Sequence, residues 1–102
     1  MRIEAGDRTL AYTGDTGPHP GLGVLARSAG LLVAEADWGT GASQGDGHLT
    51  AAEAGRAAAD AGVPRLLLTH LAGADPDACT TAARDAGAAS VTAARPGLVL
   101  EV

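Results

Sequence analysis

The sequence contains no phenylalanine and no lysine, and only one residue each of isoleucine, tryptophan, tyrosine, methionine and cysteine among its 102 residues. A lone cysteine, Cys79, excludes a disulfide framework and a cysteine-rich zinc site, and it favours a reducing compartment. Without lysine, seven arginines face twelve acidic residues and the net charge is −5. No basic cluster forms, which excludes a sequence-independent nucleic-acid binder. No apolar run approaches the about 20 residues of a bilayer span, and no charged-then-apolar leader opens the chain. The expectation is a cytoplasmic protein without membrane association. Aromatic residues make up only 2%, so the core must be built from Ala, Val and Leu. Burial at about 25 cal/mol per Å² then has to offset the chain entropy of one small domain, residues 1–102, and extra burial against a partner would help.

What is present alternates between strand and helix signals. Arg2–Ala5 and Thr9–Thr13 read as strands joined at Gly6-Asp7. A Gly- and Pro-punctuated loop over 14–20 leads to a short helix, Leu22–Ala29, closed by Gly30. Leu31–Glu35 is apolar on consecutive positions, as expected of a strand covered on both faces. The stretch Asp37–Gly47, rich in Gly, Thr, Ser and Asp, is a loop on which Trp38 should be partly exposed. Thr50 and Glu53 have capping-box spacing for a helix to Ala61, with Gly62 and Pro64 beyond its end. Arg65–Thr69 is a second buried strand. Asp75-Pro76 opens the last helix, which Gly87 terminates, and Ser90–Ala93 and Leu98–Val102 close the chain as strands. The order ββαβαβαββ implies parallel pairing through right-handed crossovers, and the fold class is α/β.

The placement of the polar residues carries the functional information. Asp15, Glu35 and His70 each fall at or just past the C-terminal end of a strand, and His48 falls just ahead of a helix. In open α/β sheets this is the edge that binds ligands. Each residue also has a structural reading. Asp15 can shape its turn by bonding backbone amides, and His70 can be a hydrogen-bonded structural residue. Glu35 can cap a helix or face water, and His48 can pack ahead of Thr50. His19, in a Pro-rich turn, reads as surface.

Four segments in order carry a family resemblance: Tyr12-Thr13-Gly14-Asp15-Thr16-Gly17-Pro18, Leu32-Val33-Ala34-Glu35-Ala36, Gly47-His48-Leu49-Thr50 and Leu67-Leu68-Thr69-His70. They resemble the C-terminal half of metallo-β-lactamase-fold hydrolases, closest to the ribonuclease Z and phosphodiesterase-like branch. The resemblance implies half of an αββα sandwich, a mixed sheet with helices on one face. It implies Asp15 and His70 as metal ligands, His48 as the proton donor to the leaving group and Glu35 as the residue that orients or polarises His48. Zinc or manganese is the implied metal, and nucleic acid is a substrate class by resemblance alone.

The family's main metal signature, His-x-His-x-Asp-His, is absent, and two protein ligands are fewer than the about three that hold a catalytic zinc. Three functions therefore stand side by side. The chain is a hydrolase half completed by self-association or by a complementary N-terminal half, a catalytically silent half-fold or engineered fragment that dimerises, or a small α/β ligand-binding module. A bare sheet face of Leu and Val favours a twofold homodimer, sheet on sheet. In such a dimer two copies of Asp15 and His70 could meet at one metal.

Overall fold

A computed structural model describes residues 1–45 and 47–102. Five strands and three helices follow one another as β1 (Arg2–Ala5), β2 (Arg8–Tyr12), α1 (Gly21–Ala26), β3 (Leu31–Glu35), α2 (Ala51–Asp60), β4 (Leu66–Thr69), α3 (Pro76–Asp85) and β5 (Val91–Ala93). The sheet runs β1-β2-β3-β4-β5 in sequence order. β1 is antiparallel to β2, and every later pair is parallel. Each parallel step moves the same way across the sheet, so right-handed crossovers place all three helices on one face.

Register defines that face. Ala11, Leu32, Leu66 and Val91 form one row across β2 to β5, and all four are buried in the core with Ala34 and Leu68. Against them pack Ala26 of α1, Ala54 and Ala58 of α2, and Cys79 and Ala83 of α3. Small side chains let these elements approach closely. At the α2–α3 crossing Gly55 lies so near the Ala83 backbone that a Cβ there would stand 2.3 Å from the Ala83 carbonyl oxygen. Arg2, paired with Ala11 and so on the helix face, donates to the Leu25 and Arg27 carbonyls at 2.8 and 2.9 Å. A cation thereby closes the C-terminal end of α1.

The opposite face carries Leu10, Tyr12, Leu31, Val33 and Leu67, since side chains alternate along each strand. Leu31 is buried, Val33 and Leu67 are half-buried and Tyr12 is exposed. The expectation that both central strands are covered on both faces therefore fails at Val33 and Leu67. β4 alternates buried and half-buried because no helix lies on this side.

The last expected strand is absent. Leu98–Val102 pairs with nothing in the sheet, and the order ends at β5, giving ββαβαβαβ. Arg95–Leu98 closes a turn, after which the Glu101 and Val102 carbonyls accept from the Arg65 and Arg8 guanidinium groups. Arg8 has the parity of Leu10, and Arg65 that of Leu67. The terminal segment thus runs back toward the N-terminal edge along the helix-free face, held by side chains where a strand would be held by a ladder. Helix α1 also stops earlier than expected, at Ala26. Ser28 adopts a left-handed φ of 60°, and the Gly30 amide bonds Thr9 O, so Gly30 leads into β3 and does not cap the helix.

The remaining boundaries follow their caps. Thr50 Oγ1 accepts from Glu53 N at 3.1 Å and Glu53 Oε1 from Thr50 N at 2.9 Å, a complete capping box. Asp75 caps α3, with Pro76 at its first position.

Replacing Gly55 by Ala should lower unfolding free energy in urea by about 3 kcal/mol or more, because the colliding atoms are backbone and cannot rotate away. Gly23→Ala in α1, where nothing lies within 4 Å of the new Cβ, should instead be neutral or stabilise by about 0.4–1 kcal/mol. Equal effects of the two substitutions would contradict the helix crossing.

Candidate active site at the strand rim

The C-terminal ends of β2, β3 and β4 deliver five ionisable side chains to one rim. Glu35 ends β3, and its side chain is 1% exposed. Its Oε1 accepts from Thr16 N at 3.0 Å and meets His48 Nδ1 at 2.8 Å, and its Oε2 accepts from Asp37 N at 2.9 Å. The Glu35 amide in turn donates to Thr13 Oγ1 at 3.3 Å. Burial works to raise the Glu35 pKa, but hydrogen bonds from the Asp37 and Thr16 amides, the His48 ring and the Leu49 amide outweigh it. The net direction is below the ordinary carboxyl range, and the group stays ionised.

His48 carries the complementary shift. Its bond to Glu35 raises its pKa above the ordinary value, partial desolvation opposes this, and the charges of Glu35, Asp37 and Asp15 add to the rise. The Trp38 indole stands edge-on to the ring, with centroids 5.9 Å apart at 79°. Trp38 itself is half-buried, as expected, and its amide bonds Leu49 O. The base of the 37–47 loop is thereby tied to the segment that carries His48. Of that loop, Asp46 lies outside the described residues.

His70 follows β4 directly and has a left-handed φ of 56°. This turns the chain out of the sheet and projects the imidazole over the rim. The ring stacks on His48, with centroids 5.8 Å apart and 21° between planes. Its Nδ1 lies 3.8 Å from Asp15 Oδ1, and its Nε2 lies 3.3 Å from Asp37 Oδ1. Asp37 Oδ2 is 3.4 Å from His48 Nε2.

All four residues singled out from sequence, Asp15, Glu35, His48 and His70, therefore stand at one rim. Asp37 completes the group and was not among them. The signal was there: Glu35 and Asp37 are two apart at a strand end, a spacing that places both on one face. His19 lies apart from this group and accepts the Gly21 amide at 2.8 Å. A cleft of about 590 Å³ between α1 and α2 is lined by none of the five rim residues. Among the described residues no three His, Cys, Asp or Glu side chains converge as a metal cage, and Asp15 and His70 supply two donors at most. By themselves these residues do not fit a complete metal centre.

A family model described as a beta-lactamase superfamily domain matches residues 1–71. The chain belongs to this superfamily. Among its superfamily relatives, a ribonuclease Z of Halobacterium salinarum is 45% identical over 67 residues, covering 63% of this chain and 22% of the relative. A ribonuclease Z of Myxococcus xanthus is 38% identical over 101 residues, covering 93% of this chain and 33% of the relative. The crystal structure of the metallo-beta-lactamase fold protein YhfI from Bacillus subtilis superposes with a TM-score of 0.84 at 31% identity, over 95% of this chain and 41% of that one. The fold is thus that of the metallo-β-lactamase superfamily, and the chain spans well under half the length of each of these relatives. No helix among the described residues is long and apolar enough to cross a membrane.

The opposed shifts of Glu35 and His48 fix a pH window. The depressed Glu35 pKa stabilises the fold above the ordinary 4.5, an effect lost as pH falls through the folded value. The raised His48 pKa stabilises it below the ordinary 6.5, an effect lost as pH rises through the folded value. The pair therefore contributes most between about 4.5 and 6.5. Trp38 reports the upper limit, because a protonated imidazole quenches an adjacent indole more than a neutral one. Emission should rise with pH around a midpoint above 6.5, and Glu35→Gln should move that midpoint down. An unmoved midpoint would remove Glu35 as the cause.

Proposed function

We propose that this chain is one half-fold, residues 1–102, of a metal-dependent phosphodiester hydrolase of the ribonuclease Z type. It is inactive until completed by a second copy or by a complementary N-terminal half. The buried Glu35 bonded to His48, set beside His70 and Asp15 on the rim, is the observation that carries this reading. The named relatives supply the reaction class.

This chain's own contribution is a proton. Glu35 takes Nδ1–H of His48 and favours the charged ring, whose Nε2–H points across the rim toward Asp37 Oδ2 at 3.4 Å, a contact long enough for a substrate oxygen to replace. From there it can be donated to the departing alkoxide of a phosphodiester. Asp15 and His70 would supply two donors to a zinc or manganese ion, and the completing partner would have to supply the others. The partly covered sheet face bearing Tyr12, Val33 and Leu67 is the surface that partner would occupy. Burying it in a symmetric dimer would bring two rims toward one axis. That Asp15 and His70 supply two donors among the described residues, fewer than a catalytic zinc takes, supports a second reading, a catalytically silent half-fold. Both readings place the chain in the cytoplasm.

Light scattering during size exclusion, with zinc quantified on the same peak, separates these readings. The expected outcome is a species of twice the 10.0 kDa chain mass that carries zinc and hydrolyses bis(p-nitrophenyl) phosphate slowly. His70→Ala should abolish the zinc, and His48→Ala should retain it while lowering turnover by about 10²–10⁴-fold. A dimer without zinc or turnover, unchanged by either substitution, selects the silent half-fold, and a monomer without either overturns completion by self-association.

A further inference from the structure

Among the described residues, Asp37 alone at the rim addresses two different imidazoles with its two carboxylate oxygens. Oδ2 lies 3.4 Å from His48 Nε2, and Oδ1 lies 3.3 Å from His70 Nε2. The carboxylate is well placed to do this. The Asp37 amide is fixed at 2.9 Å to Glu35 Oε2, and the side chain is only 21% exposed. The ring it reaches is poorly held otherwise. His70 is 49% exposed and sits on a left-handed backbone, with Asp15 at 3.8 Å and the His48 ring as its other rim neighbours. Two stacked imidazoles gain little from each other in water, and when both carry charge they repel. An anion spanning their Nε2 atoms removes that repulsion.

We propose that Asp37 is a positioning residue that clamps His48 and His70 together and sets the tautomer of His70. A carboxylate is an acceptor only, so the ring nitrogen facing it must carry the hydrogen. Carboxylates face both ring nitrogens of His70, but Asp37 stands at 3.3 Å and Asp15 at 3.8 Å, beyond hydrogen-bond reach, so Asp37 selects Nε2–H in neutral His70. At His48 the same carboxylate faces the nitrogen opposite the one that Glu35 holds, so both ring hydrogens of the charged form have an acceptor. Distances of 3.3 and 3.4 Å are long for hydrogen bonds, so an incoming donor or acceptor can displace Asp37 without breaking the Glu35 anchor. The proposal deepens the reading of this rim as a reactive edge and rests on it for the role of His48. The tautomer and the clamp do not require turnover.

Long-range ¹H–¹⁵N spectra of the ¹⁵N-labelled, metal-free chain at a pH where His70 is neutral test it directly. The expected result is His70 in the Nε2–H form, with cross-relaxation between the His48 and His70 rings. In Asp37→Ala the tautomer preference should relax to the mixture of a free imidazole, and the ring–ring signal should be lost. His48 should keep Nδ1–H toward Glu35, which shows that the fold has survived. Asp37→Glu should restore part of the preference. Wild-type His70 carrying Nδ1–H, or an Asp37→Ala spectrum unchanged at His70, would overturn the proposal. Because no substrate or metal is present, this outcome is independent of whether the chain hydrolyses anything.

Discussion

One buried carboxylate organises the rim. Glu35 stands at the end of the central strand β3, almost wholly out of solvent, and an ion there is costly unless its lone pairs are occupied. The Thr16 amide on one loop, the Asp37 amide on a second and the His48 ring on a third meet that need. Each bond also fixes a loop. The Thr16 contact holds the turn that carries Asp15, and the Asp37 contact holds the turn that carries Trp38. The imidazole contact sets the segment entering α2. Removing the charge would therefore loosen three connections together, where removing an exposed charge would loosen at most one.

The parallel sheet makes such a convergence possible. β2, β3 and β4 point the same way, so their C-terminal ends release their loops at one edge. Polar residues placed there in sequence meet in space even when tens of residues separate them. The capping box of Thr50 and Glu53 does a related job for α2. It fixes where the helix begins, and so where His48, two residues earlier, must sit.

This explains what the sequence made legible. Caps and strand-end polar residues obey local rules, so α2, α3, the capping box and the four candidate side chains were readable from the order of residues alone. Three features were not. The end of α1 depends on the Arg2 side chain, which reaches it from β1, and no local signal at Ala26 announces this. Leu98–Val102 has the apolar, Val-containing composition of a strand, but a strand needs a partner ladder, and here two arginine side chains take the terminal carbonyls instead. Asp37 was masked by the loop-like composition around it. Its role depends on His70 leaving β4 with a left-handed φ, a conformation that composition does not encode.

The two faces of the sheet divide the chain's stability from its function. The helix face is closed by small residues at close range, with Gly55 against Ala83 as the tightest point, and needs nothing from outside. The other face retains Tyr12 exposed and Val33 and Leu67 half-buried, with the terminal segment tied along it by Arg8 and Arg65. Those guanidinium bonds are at exposed positions, where such contacts contribute little net stability. A partner surface offering more apolar contact could therefore displace the segment at small cost. The rim lies at the edge shared by both faces, so the surface that would complete the fold and the donors that would complete the site must arrive on the same side. Under the proposed completion by a partner, burial and chemistry are coupled: whatever covers Val33 and Leu67 would also decide what stands opposite Asp15 and His70.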